Sequence, residues 1–224
     1  MPNLAKIIYE IFVRTAYKLG LYHTRTDRYI KHFENHITKG STILDLGCGS
    51  GIFSQKLSYE IIISVDINPS ILKTHPPNLS IYKICADAQH IPVRRNSMDI
   101  VLAISLLEHI SNTPLVIDEV NRILKPNGLL IIQLPNPQWY IEPHTKFPLL
   151  FTLPKCIKNA VRKQLKYDYV NFELTLKALE KLTRNHFTVT KRISLYHGLK
   201  TPPWPPAWLM ILRKIPSPTM SKPN

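Results

Sequence analysis

Apolar residues recur at helical spacing near the start of the chain. Leu4, Ile7, Ile8, Ile11, Phe12, Thr15, Ala16 and Leu19 share one face of a 3.6-residue repeat, which predicts an amphipathic helix over residues 4–19. Thr26 and Asp27 can cap a second helix that runs to about residue 36. From residue 41 the texture changes. Short apolar runs at 42–46, 61–65, 81–84, 100–104 and 129–134 alternate with helical stretches at 51–58, 69–73 and 114–124. Strands that are apolar at successive positions suit a parallel sheet covered on both faces. Their alternation with helices predicts an α/β fold built on a doubly wound sheet. After Pro135 the rhythm breaks into a stretch rich in proline and aromatic residues. A helix over 171–184, a strand over 187–194 and a last apolar strand over 208–212 follow. The segment 137–169 is long for a connection and reads as a lid or binding insertion.

Composition narrows the class. With 224 residues, 44% of them hydrophobic and 20% charged, the chain can bury one ordinary core, and wholesale disorder is excluded. The formal charge of +14 is unusual and unevenly spread. Residues 1–140 hold 14 basic and 11 acidic side chains, whereas residues 141–224 hold 15 and 4. Such a balance suits nucleic acid, an anionic membrane surface or an acidic substrate, and the excess sits in the last third. No apolar run reaches the roughly 18 residues of a spanning helix. Lys6, Glu10, Arg14 and Lys18 interrupt what a signal peptide would need as an apolar core. Cys48, Cys85 and Cys156 are odd in number and far apart, without CxxC spacing. These features lead us to expect a reducing, cytoplasmic setting and no metal site.

Three of the seven glycines fall within ILDLGCGSG at residues 43–51, where a buried strand runs into a loop and then a helix. Glycines there let a ligand approach the backbone, and the following helix start offers free N–H groups. A dinucleotide loop, Gly-x-Gly-x-x-Gly, would need glycine at 52, where Ile52 stands; the spacing is instead Gly47-x-Gly49-x-Gly51. Nineteen residues after Gly47, Asp66 ends the second strand, at the distance of a ribose-binding carboxylate. Asp87 follows the third strand and can accept from an adenine amine, while Asp45 is placed to meet an ammonium group. A ligand with an adenosine end and a cationic amino-acid end satisfies this set, namely S-adenosylmethionine.

The sequence at this point resembles the class I S-adenosylmethionine-dependent methyltransferases. The motifs agree in order: ILDLGCGSG, VDINP, ADAQHIP, SMDIVLAISLLEHI at 97–110, NRILKPNGLLII at 121–132 and LPNP at 134–137. The branch most similar in flavour includes the ubiquinone- and menaquinone-biosynthesis methyltransferases. The resemblance is firm over 41–135 and weakens on either side. Asn127-Gly128 stands where the family usually has two glycines, at a turn position that tolerates Asn. The resemblance implies a seven-stranded Rossmann-like sheet whose last strand is antiparallel, with N-terminal helices and a helical insertion after the fifth strand. It implies an organisation of 1–40 as helical cap, 41–136 as cofactor-binding core, 137–170 as insertion and substrate lid, 171–214 as the rest of the fold and 215–224 as tail. The same motifs add Cys48, Ile67, Ala88 and Ser105 to the candidate cofactor contacts Asp45, Gly47, Gly49, Gly51, Asp66 and Asp87.

For chemistry, Glu108 and His109 follow the fourth strand at the ligand-binding edge. His109 is the first candidate base, with Glu108 orienting it or binding substrate. His144, beside Trp139 and Tyr140 in the loop after the fifth strand, is the second. The other seven histidines are scattered without ligand spacing. Enzymes that methylate base amines carry an Asn/Asp-Pro-Pro-aromatic motif after the fourth strand, where this chain reads Ser105-Leu-Leu-Glu108. Residues 146–166 interleave Lys and Arg with apolar side chains, a pattern suited to the surface of an anionic membrane. A small, hydrophobic or lipid-linked methyl acceptor is therefore favoured, with peripheral contact to an anionic membrane. Nucleic acid or protein as acceptor through the basic C-terminal face, and a non-catalytic S-adenosylmethionine-binding module, rank below it.

Overall fold

The computed structural model describes residues 25–57, 61–138, 152–164, 174–195 and 207–216. Two compact units divide the chain, Met1–Ile37 and Thr38–Asn224. In the first, helix α1 (Arg25–Lys31) carries the buried Tyr29 and Ile30 and leads to a 3-10 turn at Glu34–His36. The helix expected to reach residue 36 ends earlier because Phe33 leaves helical geometry, at φ −132° and ψ −7°, and is fully buried. The helix expected over 4–19 lies outside the described residues.

The second unit is one seven-stranded sheet. Its strands are β1 (Thr42–Leu46), β2 (Ile61–Asp66), β3 (Ile81–Cys85), β4 (Met98–Ile104), β5 (Leu124–Pro135), β6 (Phe187–Ser194) and β7 (Ala207–Lys214). Their order is β3-β2-β1-β4-β5-β7-β6, with β1 to β5 parallel to one another and β7 antiparallel to both neighbours. This is the expected doubly wound sheet with its antiparallel last strand. Between β1 and β4 the winding reverses direction, which opens a crevice at the carboxyl ends of the strands.

Residues 43–46 and 100–103 are buried at successive positions, as strands covered on both faces must be. Helix α4 (Thr113–Ile123) covers one face with Val116, Ile117, Val120 and Ile123, all within the main core cluster. Each such fully buried aliphatic side chain contributes roughly 1.5–3 kcal/mol. The other α-helices among the described residues are α2 (Ile52–Lys56), α3 (Pro69–Leu72), α5 (Lys155–Gln164) and α6 (Leu176–Thr183).

Strand β5 begins five residues before its predicted start at 129. Met98 pairs with Leu124 and Ile100 with Leu129, so the one residue between them on β4 faces four on β5. The excess is absorbed at Lys125-Pro-Asn-Gly128, where Asn127 adopts φ +64°. The turn signal is real, but it is a bulge inside a strand. At the same end of the sheet, Lys214 on β7 donates to the Asn121 and Leu124 carbonyls at 2.6 and 2.7 Å, closing the end of α4.

Candidate active site

The crevice holds a cleft of about 600 Å³, within the range of small-molecule sites. Its wall is drawn from the carboxyl ends of four strands: Gly47 and Gly49 after β1, Asp66 and Ile67 at the end of β2, Asp87 and Ala88 after β3, and Ser105 and His109 after β4. The sequence spreads these residues over 63 positions, and the parallel sheet brings them to one edge.

The glycine loop is held in left-handed geometry, with φ of +68°, +52° and +74° at Gly47, Gly49 and Gly51. Gly47 and Cys48 donate their N–H groups to the Val65 carbonyl at 2.8 and 3.0 Å, tethering the loop to β2. A Cβ on Gly47 would lie 2.6 Å from Leu106 Cδ1, so any larger residue there would have to push the Leu106 side chain aside. A Cβ on Gly49 would meet nothing within 4 Å, so its bare backbone borders open space beside the cleft.

Asp66 receives the Gly49 N–H on Oδ2 and the Asn68 N–H on Oδ1, both at 2.9 Å. Each oxygen keeps a further lone pair, so the carboxylate can accept two hydroxyl donors side by side. Ile67 beside it is 69% exposed, an isolated apolar face suited to the flat side of a purine. Asp87 is braced by the backbone and side-chain amides of Gln89. The loop after Asp87 is clamped in turn. Glu119 accepts the Ile91 N–H at 2.8 Å and pairs with Arg122, whose guanidinium donates to the Ile91 and Val93 carbonyls. Volume, paired acceptors and apolar face together fit S-adenosylmethionine.

Three of the candidate cofactor contacts stand off the wall. Asp45, Cys48 and Gly51 do not line the cleft. Asp45 is buried and accepts the Ser54 hydroxyl at 2.6 Å, and Ser54 is within 2.7 Å of the Ser64 hydroxyl. The spacing brings Asp45 close to the cleft, but its side chain faces inward toward α2. Burial pushes its carboxyl up to about 6, against the pull of the Ser54 hydrogen bond. Burial also pushes the Cys48 thiol up to about 12, which keeps it neutral and unreactive.

The Asp45 shift predicts a pH signature. Relative to the unfolded chain, with its carboxyl at 3.8, the folded state binds the extra proton between pH 4 and 6. Its contribution to stability is therefore full below pH 4 and is lost as pH rises through 6, a change of about 3 kcal/mol. Asp45→Asn keeps an acceptor for Ser54 and removes the buried charge. Urea unfolding should show the variant gaining on the wild type by about that amount between pH 4 and 7. A difference that stays flat with pH would refute the assignment.

Glu108 and His109 sit on a 3-10 turn at Leu107–His109, directly after β4. Glu108 is buried, its Oε1 is 3.9 Å from His109 Nε2, and the imidazole is 34% exposed on the cleft wall. Ser105, at φ +52°, donates its hydroxyl to Gln133 on β5. Buried Gln133 was missed by sequence reasoning because one polar residue in an apolar strand carries no spacing signal. His144 and Tyr140 lie outside the described residues. Among the described residues, no group of three or more His, Cys, Asp or Glu could hold a metal ion.

Known proteins resemble this arrangement. A family model described as a methyltransferase domain matches residues 44–132. An uncharacterized protein of Methanocaldococcus jannaschii is 35% identical over 156 residues, 69% of this chain and 67% of that one. A ubiquinone biosynthesis O-methyltransferase of Bradyrhizobium diazoefficiens is 27% identical over 129 residues, 50% of this chain and 49% of that one. The chain thus spans about half the length of that relative. The crystal structure of a S-adenosylmethionine-dependent methyltransferase from Methanosarcina mazei superposes with a TM-score of 0.62 at 18% identity, covering 83% of this chain and 98% of that one.

Proposed function

The chain belongs to the class I S-adenosylmethionine-dependent methyltransferases, and from that premise we propose that it methylates a small, hydrophobic or lipid-linked acceptor beside His109. The observation that carries this reading is the composition of the cleft wall beyond the aspartates. Leu106, Ile110 and the imidazole of His109 line it together, an apolar surface with one titratable group.

S-adenosylmethionine supplies a methyl carbon activated by a sulfonium, so the group that departs is neutral. The protein's task is alignment, which can lower a barrier by about 7–11 kcal/mol. Asp66 and Asp87 fix the nucleoside end, and the glycine loop fixes the rest by close backbone approach. His109 accepts a proton from an acceptor hydroxyl as it attacks. The Glu108 carboxylate, 3.9 Å away, stabilises the imidazolium that forms.

Helix α5 supports an acceptor that resides at a lipid surface. Its sequence, KCIKNAVRKQ, has Lys155, Lys158 and Lys163 on one arc, Cys156, Ile157, Ala160 and Val161 on the other, and no acidic residue. Ile157 is 45% exposed. A short basic amphipathic helix of this kind suits an anionic lipid headgroup layer. Among the described residues no helix is long and apolar enough to cross a membrane.

The test is methyl-labelled cofactor incubated with fractionated small-molecule, lipid and RNA pools, the lipids presented in anionic and in neutral vesicles. Label should enter the organic-soluble fraction, and faster from anionic vesicles at low salt. Label found only in RNA would overturn the reading.

A further inference from the structure

The backbone of Gly49 is gripped on both sides of its Cα by one short segment. Its N–H donates to Asp66 Oδ2 at 2.9 Å, and its carbonyl accepts from His75 Nε2 at 2.7 Å. Because a carbonyl can only accept, His75 carries its proton on Nε2. The ring is buried, at 3% exposure, and does not reach the cleft wall, so the Gly49 carbonyl is turned away from the cleft. The imidazole also packs under the next turn of the loop. A Cβ on Gly51 would come within 2.5 Å of His75 Cε1 and Nδ1, and Cys48 Sγ lies 3.7 Å from Nε2.

The segment joining the two grips is itself fixed. Asn68 donates its N–H to Asp66 Oδ1 and caps α3 by accepting from Ser70 and Ile71. The chain then continues from α3 with Lys73 and Thr74 bonded back to the Pro69 and Ile71 carbonyls. Asp66 and His75 are thus joined by one hydrogen-bonded segment, one on each side of the Gly49 Cα.

We propose that His75 is a positioning residue for the cofactor: through the Gly49 carbonyl it locks the glycine loop in its left-handed form before the cofactor arrives. A loop already ordered pays no ordering cost on binding. Without the bond the Gly49–Ser50 peptide is freer to rotate about a flexible residue, and that cost returns to every binding event. The inference rests on the assignment of S-adenosylmethionine to this cleft.

Three variants test it by calorimetric affinity for S-adenosylhomocysteine, with urea midpoints recorded for each. His75→Leu fills the space without a donor, and its affinity should fall about tenfold. His75→Gln restores an N–H near the ε position, and its affinity should stay within about threefold of the wild type. In assays the His75→Leu defect should appear in KM for the cofactor and not in kcat. Unchanged affinity in His75→Leu, or equal losses in both variants, would overturn the role of the bond. Asp66→Ala is the third variant. If it binds as the wild type does, the cofactor assignment fails instead, whatever the histidine variants show.

Discussion

Replacing Asp66 with Ala is expected to weaken S-adenosylmethionine binding by roughly 10²–10⁴-fold. The estimate follows from the geometry at the end of β2. Both carboxylate oxygens are anchored by backbone N–H groups at 2.9 Å, which aims their remaining lone pairs into the cleft. Two hydroxyl donors from a ribose would make charge-assisted hydrogen bonds there, each contributing about 1.5–3 kcal/mol. Alanine removes both and also releases the Gly49 and Asn68 N–H groups, so loop order is lost with the acceptors. Asp66→Asn keeps one acceptor oxygen and should lose less. Calorimetry on the purified chain measures both affinities. An Asp66→Ala affinity within threefold of the wild type would remove Asp66 from the cofactor site.

That Asp66 could be chosen from the sequence at all has a physical reason. A parallel sheet forces each strand to deliver its last residue to the same edge, so the 19-residue interval from Gly47 translates into neighbouring positions in space. Strand positions were legible for a related reason, since burial on both faces leaves continuous apolar runs such as 100–103. Where a strand is interrupted the signal misleads. Lys125-Pro-Asn-Gly128 reads as a turn before a strand and is in fact a bulge within β5.

Direction was less legible than proximity. Asp45 is close to the cleft in sequence terms, yet the partner it finds is Ser54, on the inward face of α2. Nothing in the spacing distinguishes a carboxylate facing a ligand from one facing a helix. His75 illustrates the converse. It stands nine residues beyond Asp66, in no motif, and it contacts the glycine loop only because α3 folds back under it. Contacts made by tertiary packing leave no periodic trace, so the residues behind a loop are harder to read than those within it.

His109→Ala is expected to lower kcat by about 10²–10⁴-fold, the usual contribution of a positioned base. The imidazole has the right place, on the wall at the end of β4, and a buried carboxylate at 3.9 Å to stabilise the cation it becomes. Alignment alone can drive methyl transfer to a nucleophile that needs no deprotonation, so the size of the loss discriminates between acceptors. A hydroxyl acceptor requires its proton to leave as the new bond forms, and the variant should then also lose the acid limb of its kcat–pH profile. Glu108→Gln keeps the shape of the turn but not the charge, and should retain more activity than His109→Ala while weakening the same limb. A His109→Ala variant within threefold of the wild-type kcat, with only KM for the acceptor raised, would make the imidazole a binding surface and leave catalysis to alignment by the aspartates and the glycine loop.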